Sequence, residues 1–442
     1  MQKGFHMQKG SNMQNGFRMQ TGPSFLKGSS PQKGSSLLKW TIIPLFFCLV
    51  FFVFEPANAL QLRYATPGEM GMDPDHLSKA DDIIMEAIDS GETPGAVLLI
   101  VRDSFIVYNK AWGWMQRHAT ERKMDPDAIF DLASLTKPVA TATAVMKLVE
   151  DGRLRLMDPV SDYIPEFAGF GLIGLPPRER PRIIHLLTHT AGLPSYLPVE
   201  LLTEVFDIHT SDIIMPYMCS LPDRPGAGLD FTYSCPSFIT LQKVVEAVTG
   251  TDLATWTHEH IFQPLGMHDT FFSPGPDLLA QHLLSRIAPT LYSESDGLLS
   301  GTVHDPIARQ IMNGISGNAG LFSTGKDLAL FAAMMLNDGT VNGKRILSPA
   351  AVRTMTSLQR GLEFSGRGLG WDLYSPFASN QGDLFGSAAY GHTGYTGTSM
   401  VIDPDTKTAV ILLTNRVYPD DSGSVISLRA RVANVVAASI RN

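Results

Sequence analysis

The strongest constraint on the fold is a β-hairpin pattern that occurs near both ends of the chain. Residues 95–101 (GAVLLIV) and 105–111 (FIVYNKA) are β-rich runs separated by three turn residues. Residues 399–403 (SMVID) and 408–414 (TAVILLT) repeat this arrangement around a four-residue turn that begins with Pro404. Each end of the chain is therefore predicted to contribute a pair of adjacent strands.

Helical patterns accompany both hairpins. Residues 76–89 have an apolar face at helical spacing, and a closing helix is predicted over 425–440. The apolar face of the first helix comprises Leu77, Ala80, Ile84, Ala87 and Ile88. Because the middle of the chain is mainly helical, Pro-rich and loop-rich, the order of elements predicts an α/β fold. Its central antiparallel sheet would be flanked by N- and C-terminal helices and interrupted by a mostly helical insertion.

No low-complexity linker follows residue 60, so residues 60–442 are predicted to form one folded unit. We expect its α/β part to span about 60–133 and 330–442, and its helical part about 134–329. A functional site is expected where these two parts meet.

The first 59 residues are typical of an export leader preceded by a low-complexity segment. A six-residue repeat rich in Gly, Ser and Gln lies at the start of the chain. A basic stretch that ends at Lys39 is followed by a 15-residue apolar run over 40–54. Ala57-Asn58-Ala59 has the small-x-small pattern of a cleavage site, which predicts cleavage after Ala59 and a periplasmic or extracellular protein. An uncleaved anchor and a translation start at Met19 are the alternatives.

Composition excludes some classes of partner. The chain has 442 residues with 44% hydrophobic and 18% charged side chains, which is ordinary for a globular protein. Its formal charge is −8, and the leader is basic, so the body is more acidic than the whole. We therefore expect no nucleic-acid partner, which would require a basic patch. We also expect a monomer that contacts a membrane only through an uncleaved leader.

The motif Ser-x-x-Lys occurs five times, and context distinguishes the copies. Three copies lie in the leader, and the pair at Ser323 and Lys326 has Gly325 inside its first turn, so that Ser323-Thr324 is better explained as a helix cap. Ser134 precedes an apolar helical stripe that ends at Gly152. The stripe comprises Leu135, Pro138, Ala142, Val145, Met146 and Val149.

This placement gives Ser134 two chemical advantages. Residues three apart share a helical face, so the Lys137 amine is predicted to lie within reach of the Ser134 hydroxyl. The helix N-terminus also offers free N–H donors to an oxyanion. A serine nucleophile needs a neighbour that accepts its proton, and Lys137 could take part in that step. Taken alone, the motif favours the simpler alternative, an N-cap serine beside a solvated lysine.

Two later stretches favour the catalytic interpretation. Residues 231–238 (FTYSCPSF) place Tyr233 on a loop just before an amphipathic helix. Residues 390–400 (YGHTGYTGTSM) place His392-Thr393-Gly394 on a strand that approaches the C-terminal hairpin, and Gly394 permits close approach of a ligand to the backbone. Taken alone, Tyr233 could also be a buried ring whose hydroxyl is satisfied.

The order Ser-x-x-Lys, Tyr-x-polar and basic-Thr-Gly resembles the motif set of the serine β-lactamase and penicillin-binding-protein superfamily. Further resemblance covers 185–196 (HLLTHTAGLPSY), 260–272 (HIFQPLGMHDTFF) and 316–331 (SGNAGLFSTGKDLALF). The branch it resembles contains class C β-lactamases, DD-peptidases and related esterases. Within it, 302–309 (TVHDPIAR) and 233–238 (YSCPSF) look most like the exported muramyl-peptide amidases and penicillin-binding protein 4B.

The resemblance implies a role for each matching residue. Ser134 would be the acylated nucleophile, Lys137 its proton-handling partner and Tyr233 the general base or acid. His392 would take the strand position, and the backbone N–H groups of Ser134 and Tyr395 would form the oxyanion hole. The substrate-binding positions it implies are Cys235, Thr393 and Gly394.

The sequence departs from the superfamily pattern at two of these positions. Cys235 stands where the tyrosine motif commonly has Asn, and a thiol is a weak donor and acceptor. His392 stands where many β-lactamases have Lys, and histidine is mostly neutral near pH 7. Both changes favour an amidase or esterase over an efficient β-lactamase. A disulfide between Cys219 and Cys235 is not expected, because it would distort the site.

A metal enzyme and a protein without this catalytic role are the competing hypotheses. A zinc site could use His185 and His189, spaced i, i+4 on a predicted helix, with His258 and His260 nearby, but Leu186 leaves no general base between the first two. His189 is better explained as a structural residue of a turn, and no metal or cofactor is expected. The chain could also be a penicillin- or peptidoglycan-binding module without turnover, or a carboxylesterase with no role at the cell wall.

Overall fold

The two predicted hairpins pair with each other at the centre of one sheet. The computed structural model describes residues 61–168, 180–207, 210–220, 226–272, 275, 277, 279–295 and 297–441. In it Gly95–Arg102 pairs antiparallel with Thr408–Thr414. Each of these strands also pairs with its own hairpin partner, Phe105–Gln116 and Ser399–Asp403 respectively. The predicted α/β fold, assembled from both ends of the chain, is confirmed.

The remaining strands of this sheet lie at its edges. Across the sheet the order is Arg63–Tyr64, Phe105–Gln116, Gly95–Arg102, Thr408–Thr414, Ser399–Asp403 and Tyr390–Thr393, and Arg122–Lys123 pairs with Phe105–Gln116. Arg63–Tyr64 pairs parallel and the other neighbours antiparallel. Small ladders elsewhere join Phe130–Asp131, Leu321–Ser323 and Phe271–Phe272; Leu291–Ser293 and Gly297–Leu299; and Thr340–Val341 and Lys344–Arg345.

Helices account for most of the regular structure outside the sheet. The α-helices are Pro74–Leu77, Lys79–Asp89, Thr143–Glu150, Ile183–Leu187, Ile214–Ser220, Cys235–Thr249, Leu253–Thr257, Gln263–Leu265, Gln281–Leu284, Pro306–Gln310, Gly325–Leu336, Pro349–Met355 and Ile426–Ser439. Segments with π-helical bonding are Lys137–Ala142, Leu201–Val205 and His258–Phe262.

The single helix predicted over 76–89 is instead two helices that meet at Ser78. As predicted, Thr324 caps Gly325–Leu336, since its hydroxyl accepts the Asp327 N–H.

Alternation along the central strand places its side chains in two different cores. Leu98 and Ile100 face the core formed with the helices Lys79–Asp89 and Ile426–Ser439. Val97, Leu99 and Val101 face the larger core, which includes the helix Gly325–Leu336 and the helical region. Successive residues of a strand point to opposite faces, so a strand covered on both faces is apolar throughout. Burying one such leucine contributes about 1.5–3 kcal/mol.

The edge of the sheet is tied directly to the segment that precedes Ser134. The hydroxyl of Thr396 donates to the Asp131 carbonyl at 2.7 Å, and that of Thr398 donates to the Leu132 carbonyl at 3.0 Å. Asp131 in turn lies on a short strand that pairs with Leu321–Ser323. The sheet and the helical region therefore meet where the sequence places the candidate nucleophile.

Several predictions about the start of the chain concern residues outside the described ones. The predicted leader over 1–59, with its repeat, apolar run and cleavage site, lies there. Among the described residues, no helix combines the length and apolar character needed to cross a membrane. The division of 60–442 into an α/β part and a helical part stays a prediction.

Replacing Leu99 with alanine tests the core on the inner face of the sheet. Leu99 is fully buried in the larger core, and the truncation removes apolar burial and leaves a cavity. We expect a loss of about 2–5 kcal/mol in the free energy of unfolding, measured by urea denaturation. Met85→Ala is the control, because Met85 is 42% exposed, and should change stability by less than about 1 kcal/mol. Equal effects of the two variants would contradict the described packing.

Candidate active site

Ser134 lies at the start of a helical segment, but the segment is not a regular α-helix. Ala133–Leu135 forms a 3-10 turn, Lys137–Ala142 is π-helical, and Thr143–Glu150 is the α-helix that follows. Ala133 has a left-handed φ of 46°, and the buried Asp131 carboxylate accepts its backbone N–H at 2.8 Å. A non-glycine residue in this conformation is strained and needs such support. The strained turn fixes the backbone from which Ser134 faces the cleft.

The amine of Lys137 is fully buried beneath Ser134. Its Nζ lies 2.9 Å from Ser134 Oγ, 3.0 Å from the carbonyl oxygen of Asn318 and 3.5 Å from Cys235 Sγ. An ammonium has three donors, and these neighbours match that number. The predicted contact between Ser134 and Lys137 is therefore present, and Asn318 and Cys235 hold the amine in place.

Opposing effects set the protonation of Lys137. Burial alone would lower its pKa, because the charged form is desolvated. The neighbouring Cys235 and Tyr233, each able to carry negative charge, act the other way, so that the pKa of Lys137 is raised. Lys137 is therefore a cation at neutral pH. A cation donates to the Ser134 oxygen and favours any neighbour that becomes an anion.

Tyr233 lies on a loop directly before the helix Cys235–Thr249, as predicted. The helix is capped by Ser234, whose hydroxyl accepts the Ser237 N–H at 3.2 Å. The Tyr233 ring packs on His189 with a centroid separation of 4.4 Å, and its own centroid lies 5.1 Å from Lys137 Nζ. Tyr233 is thus brought to Ser134 and Lys137 from about 100 residues further along the chain.

His189 holds the loop that carries Tyr233. Its Nδ1 accepts the Ser234 N–H at 3.0 Å, and its carbonyl accepts the Thr232 N–H at 3.0 Å. This agrees with the interpretation of His189 as a structural residue. The proposed i, i+4 helical pair with His185 is wrong, because the helix Ile183–Leu187 ends before His189, which has a left-handed φ of 58°. Among the described residues, no group of three or more His, Cys, Asp and Glu side chains could hold a metal ion.

His392 lies on the edge strand Tyr390–Thr393 and is buried. Its Nδ1 is 2.9 Å from the Thr393 carbonyl oxygen, so it carries the proton that this acceptor binds. Burial, followed by the charges of Arg367 and Lys137, holds the pKa of His392 well below its usual range. His392 is therefore neutral near pH 7, and the strand position supplies no positive charge.

Gly394, which directly follows the edge strand, lies very close to the segment that precedes Ser134. A Cβ atom at this position would collide with Thr398 Oγ1 and with the carbonyl oxygen of Leu132. The Gly394 N–H also donates to the Thr398 carbonyl at 2.7 Å. Only glycine fits between these atoms. The backbone at Gly394 and Tyr395 is therefore fixed beside Ser134.

A cleft of about 430 Å³ connects these residues. It is lined by the predicted site residues Ser134, Tyr233, His392, Thr393, Gly394 and Tyr395. Lys137 is buried beneath the cleft, and Cys235 contacts the Lys137 amine at 3.5 Å. Cys219 and Cys235 are both free thiols, as expected. The structure brings together every residue that the sequence motifs selected.

Sequence reasoning missed the arginines of the cleft. Arg367, Arg416 and Arg429 all line it. Arg416 Nε donates to the Tyr395 carbonyl at 2.8 Å, and Arg429 Nη2 donates to the Gly394 carbonyl at 2.8 Å. Asp131 and Asn318, which support Ser134 and Lys137, were also missed. No local pattern marks these residues, because their partners are distant in sequence.

The chain matches the Beta-lactamase family over residues 80–434 and belongs to that family of serine hydrolases. A Salmonella schwarzengrund protein, named as a provisional D-alanyl-D-alanine carboxypeptidase, is 31% identical over 402 residues, which cover 86% of this chain and 91% of the relative. An Escherichia coli protein of the same name is 32% identical over 379 residues, or 81% and 86% of the two chains. The family resemblance seen in the motifs is confirmed.

Solved structures show the same fold. The hydrolase EstCE1, described as having promiscuous acyltransferase activity, superimposes with a TM-score of 0.66 at 23% identity, covering 82% of this chain and 99% of that one. A class C β-lactamase gives a TM-score of 0.64 at 18% identity and covers 84% and 98%. At these identities the similarity establishes the fold alone.

Gly394→Ala tests the contact between the edge strand and the serine segment. The added methyl group must displace Thr398 or Leu132, which moves the Tyr395 backbone away from Ser134. We expect kcat/KM for a p-nitrophenyl ester to fall about 100-fold, because small displacements in a site have effects of this size. Gly386→Ala is the matched control: its Cβ would meet only Asp405 Oδ2 at 3.5 Å, an ordinary contact. Unchanged kinetics in Gly394→Ala would contradict the described contact.

Proposed function

We propose that this protein is an exported serine hydrolase that forms an acyl-enzyme at Ser134 and cleaves an amide or ester bond in peptidoglycan-derived peptides. The observation that carries the proposal is the 2.9 Å contact between Ser134 Oγ and the fully buried Lys137 amine at the floor of the cleft. The names of the Salmonella and Escherichia coli relatives support a cell-wall peptide as the substrate. The leader-like sequence of residues 1–59 supports export.

Acylation begins at Ser134. Its Oγ forms a bond to the substrate carbonyl carbon, and the carbonyl electron pair moves onto the oxygen, which the backbone N–H groups of Ser134 and Tyr395 stabilise. The serine proton passes to the pair formed by Lys137 and Tyr233. Because Lys137 is already a cation, the group that gains the proton overall is Tyr233, acting as a phenolate.

The same pair then supports departure of the leaving group and deacylation. As the bond to the leaving nitrogen or oxygen breaks, the proton held by Tyr233 and Lys137 passes to that atom. A water molecule next attacks the acyl carbon, gives its proton to the pair, and releases the carboxylic acid. Ser134 recovers its proton, so the cycle consumes one water and leaves the enzyme unchanged.

The environment of Cys235 and His392 favours peptides or esters over β-lactams. The Cys235 thiol is occupied by Lys137 at 3.5 Å and is a weak partner for a substrate amide. His392 is neutral and so anchors a carboxylate less firmly than a lysine would. We therefore expect penicillins to acylate Ser134 and the resulting acyl-enzyme to be hydrolysed slowly.

Labelling with a fluorescent penicillin and a fluorescent phosphonate tests the nucleophile. The wild-type protein should form a covalent adduct with the phosphonate, and Ser134→Ala should form none, because the attacking oxygen is absent. Ser424→Ala is the matched control: Ser424 is an exposed hydroxyl that lines the same cleft, and its loss should leave labelling intact. Labelling that persists in Ser134→Ala would refute the proposed nucleophile. Absent labelling with retained peptidoglycan binding would support a binding module instead.

Mass spectrometry of purified muropeptides identifies the bond that is cleaved. Loss of the stem peptide from muramic acid would indicate an amidase, and loss of a terminal D-alanine would indicate a carboxypeptidase. Either product should be missing with Ser134→Ala. An unchanged muropeptide pool, together with hydrolysis of short p-nitrophenyl esters, would overturn the cell-wall substrate and support a carboxylesterase.

A further inference from the structure

Arg367 is a buried cation beside Tyr233 that no motif selects. Its side chain is 1% exposed, and its Nη1 lies 2.8 Å from Asp372 Oδ2. Its Nε and Nη2 are buried and have no hydrogen-bond partner in the part of the chain that the structure describes. The guanidinium carbon lies 5.7 Å from the centroid of the Tyr233 ring, and the residue lines the cleft. One side of the guanidinium is therefore paired with the Asp372 carboxylate, and its other side presents two buried N–H donors without partners among the described residues.

The backbone holds this arginine against the edge strand. The Asp372 N–H donates to the Gly391 carbonyl, and the Gly391 N–H donates to the Asp372 carbonyl, both at 2.9 Å. The Asp372 carboxylate also accepts the N–H and the hydroxyl of Ser375 at 3.0 and 2.9 Å. Arg367 is thereby fixed next to the strand that carries His392, and its position does not depend on a bound substrate.

Two cationic side chains lie close to the Tyr233 ring: Lys137 Nζ is 5.1 Å and the guanidinium carbon of Arg367 is 5.7 Å from its centroid. His189 and His392 both face the tyrosine ring, and burial holds the pKa of each well below its usual range, so both are neutral. Lys137 is charged. Other titratable groups that act here are Cys235, which contacts Lys137, and Asp372, which pairs with Arg367. Asp305 acts on Lys137 from a distance, and Arg429 acts on His392.

We infer that Arg367 is a positioning residue for the proposed reaction, and that its buried guanidinium stabilises Tyr233 in the anionic form that accepts the Ser134 proton. The inference rests on the proposed function. Because His392 is neutral, Arg367 would supply the positive charge on this side of the cleft. A cation within about 6 Å favours the ionised form of a phenol, and burial strengthens the effect because water does not screen it.

The step is balanced without any further reactant. The Tyr233 phenolate takes the proton from Ser134, directly or through Lys137, as Ser134 Oγ bonds to the carbonyl carbon. Tyr233 becomes a neutral phenol, and the negative charge moves to the carbonyl oxygen. The proton returns to the leaving atom when the scissile bond breaks. Arg367 keeps its protons throughout and acts only through its charge.

The pH dependence of kcat/KM for p-nitrophenyl acetate tests this role. Removing the charge in Arg367→Gln disfavours the phenolate, so a higher pH is needed to form it. The midpoint of the acid limb should therefore rise by about one pH unit. This is the lower end of the effect expected of a nearby charge, because the Asp372 carboxylate already offsets part of the Arg367 charge. Below the midpoint the rate should fall about tenfold, and the high-pH plateau should be retained. Arg367→Lys, which keeps a charge, should restore most of the wild-type profile.

Two further variants keep the test decisive. Asp372→Asn removes the counter-charge and should move the acid limb to lower pH, which can be measured even if Arg367→Gln does not fold. Arg416→Gln removes another arginine of the cleft, whose guanidinium lies over the Tyr395 ring at 4.3 Å; it should leave the midpoint in place even where it lowers the rate.

The inference about Arg367 fails if Arg367→Gln lowers kcat/KM equally at every pH, or if Asp372→Asn leaves the midpoint unchanged. Either result would indicate that Arg367 has only a structural role, while the site itself remains catalytically active. An inactive, unlabelled wild-type protein would instead refute the proposed function itself.

Discussion

The buried amine of Lys137 is the interaction on which the rest of the site depends. A charged group without water must have its hydrogen bonds satisfied by the protein. Ser134, Asn318 and Cys235 provide these bonds from three separate parts of the chain. Since each donor of the ammonium has a partner, the serine oxygen is held at a fixed distance from a cation. The site is therefore organised before any substrate arrives.

This arrangement depends on the pairing of the two ends of the chain in the central sheet. The central strands Gly95–Arg102 and Thr408–Thr414 join the N-terminal and C-terminal hairpins. Thr396 and Thr398, on the loop between the edge strand and the C-terminal hairpin, then bond to the backbone just before Ser134. Packing of the sheet thus sets the separation between the serine and the Tyr395 backbone. Loss of core packing would therefore lower the catalytic rate as well as the free energy of unfolding.

Sequence alone could predict the hairpins, the helix starts and the catalytic motifs, because each depends on residues that are close together in the chain. Runs of β-favouring residues separated by turn residues predicted the strands. The spacing of Ser134 and Lys137, and the position of Tyr233 just before a helix, identified the catalytic motifs. The break at Ser78 and the end of the helix before His189 were missed, since both depend on local backbone geometry that periodicity does not reveal. The pairing of Arg367 with Tyr233 joins residues 134 positions apart without a motif, so tertiary structure was needed to find it.

The most direct test of the account is a double-mutant cycle on the acylation rate with Lys137→Met and Tyr233→Phe. If the two side chains act as one proton-transfer unit, each single variant should lose most of the activity, and the double variant should be no slower than the worse single variant. Losses that multiply in the double variant would show two independent contributions. That result would contradict a shared proton at the centre of this site.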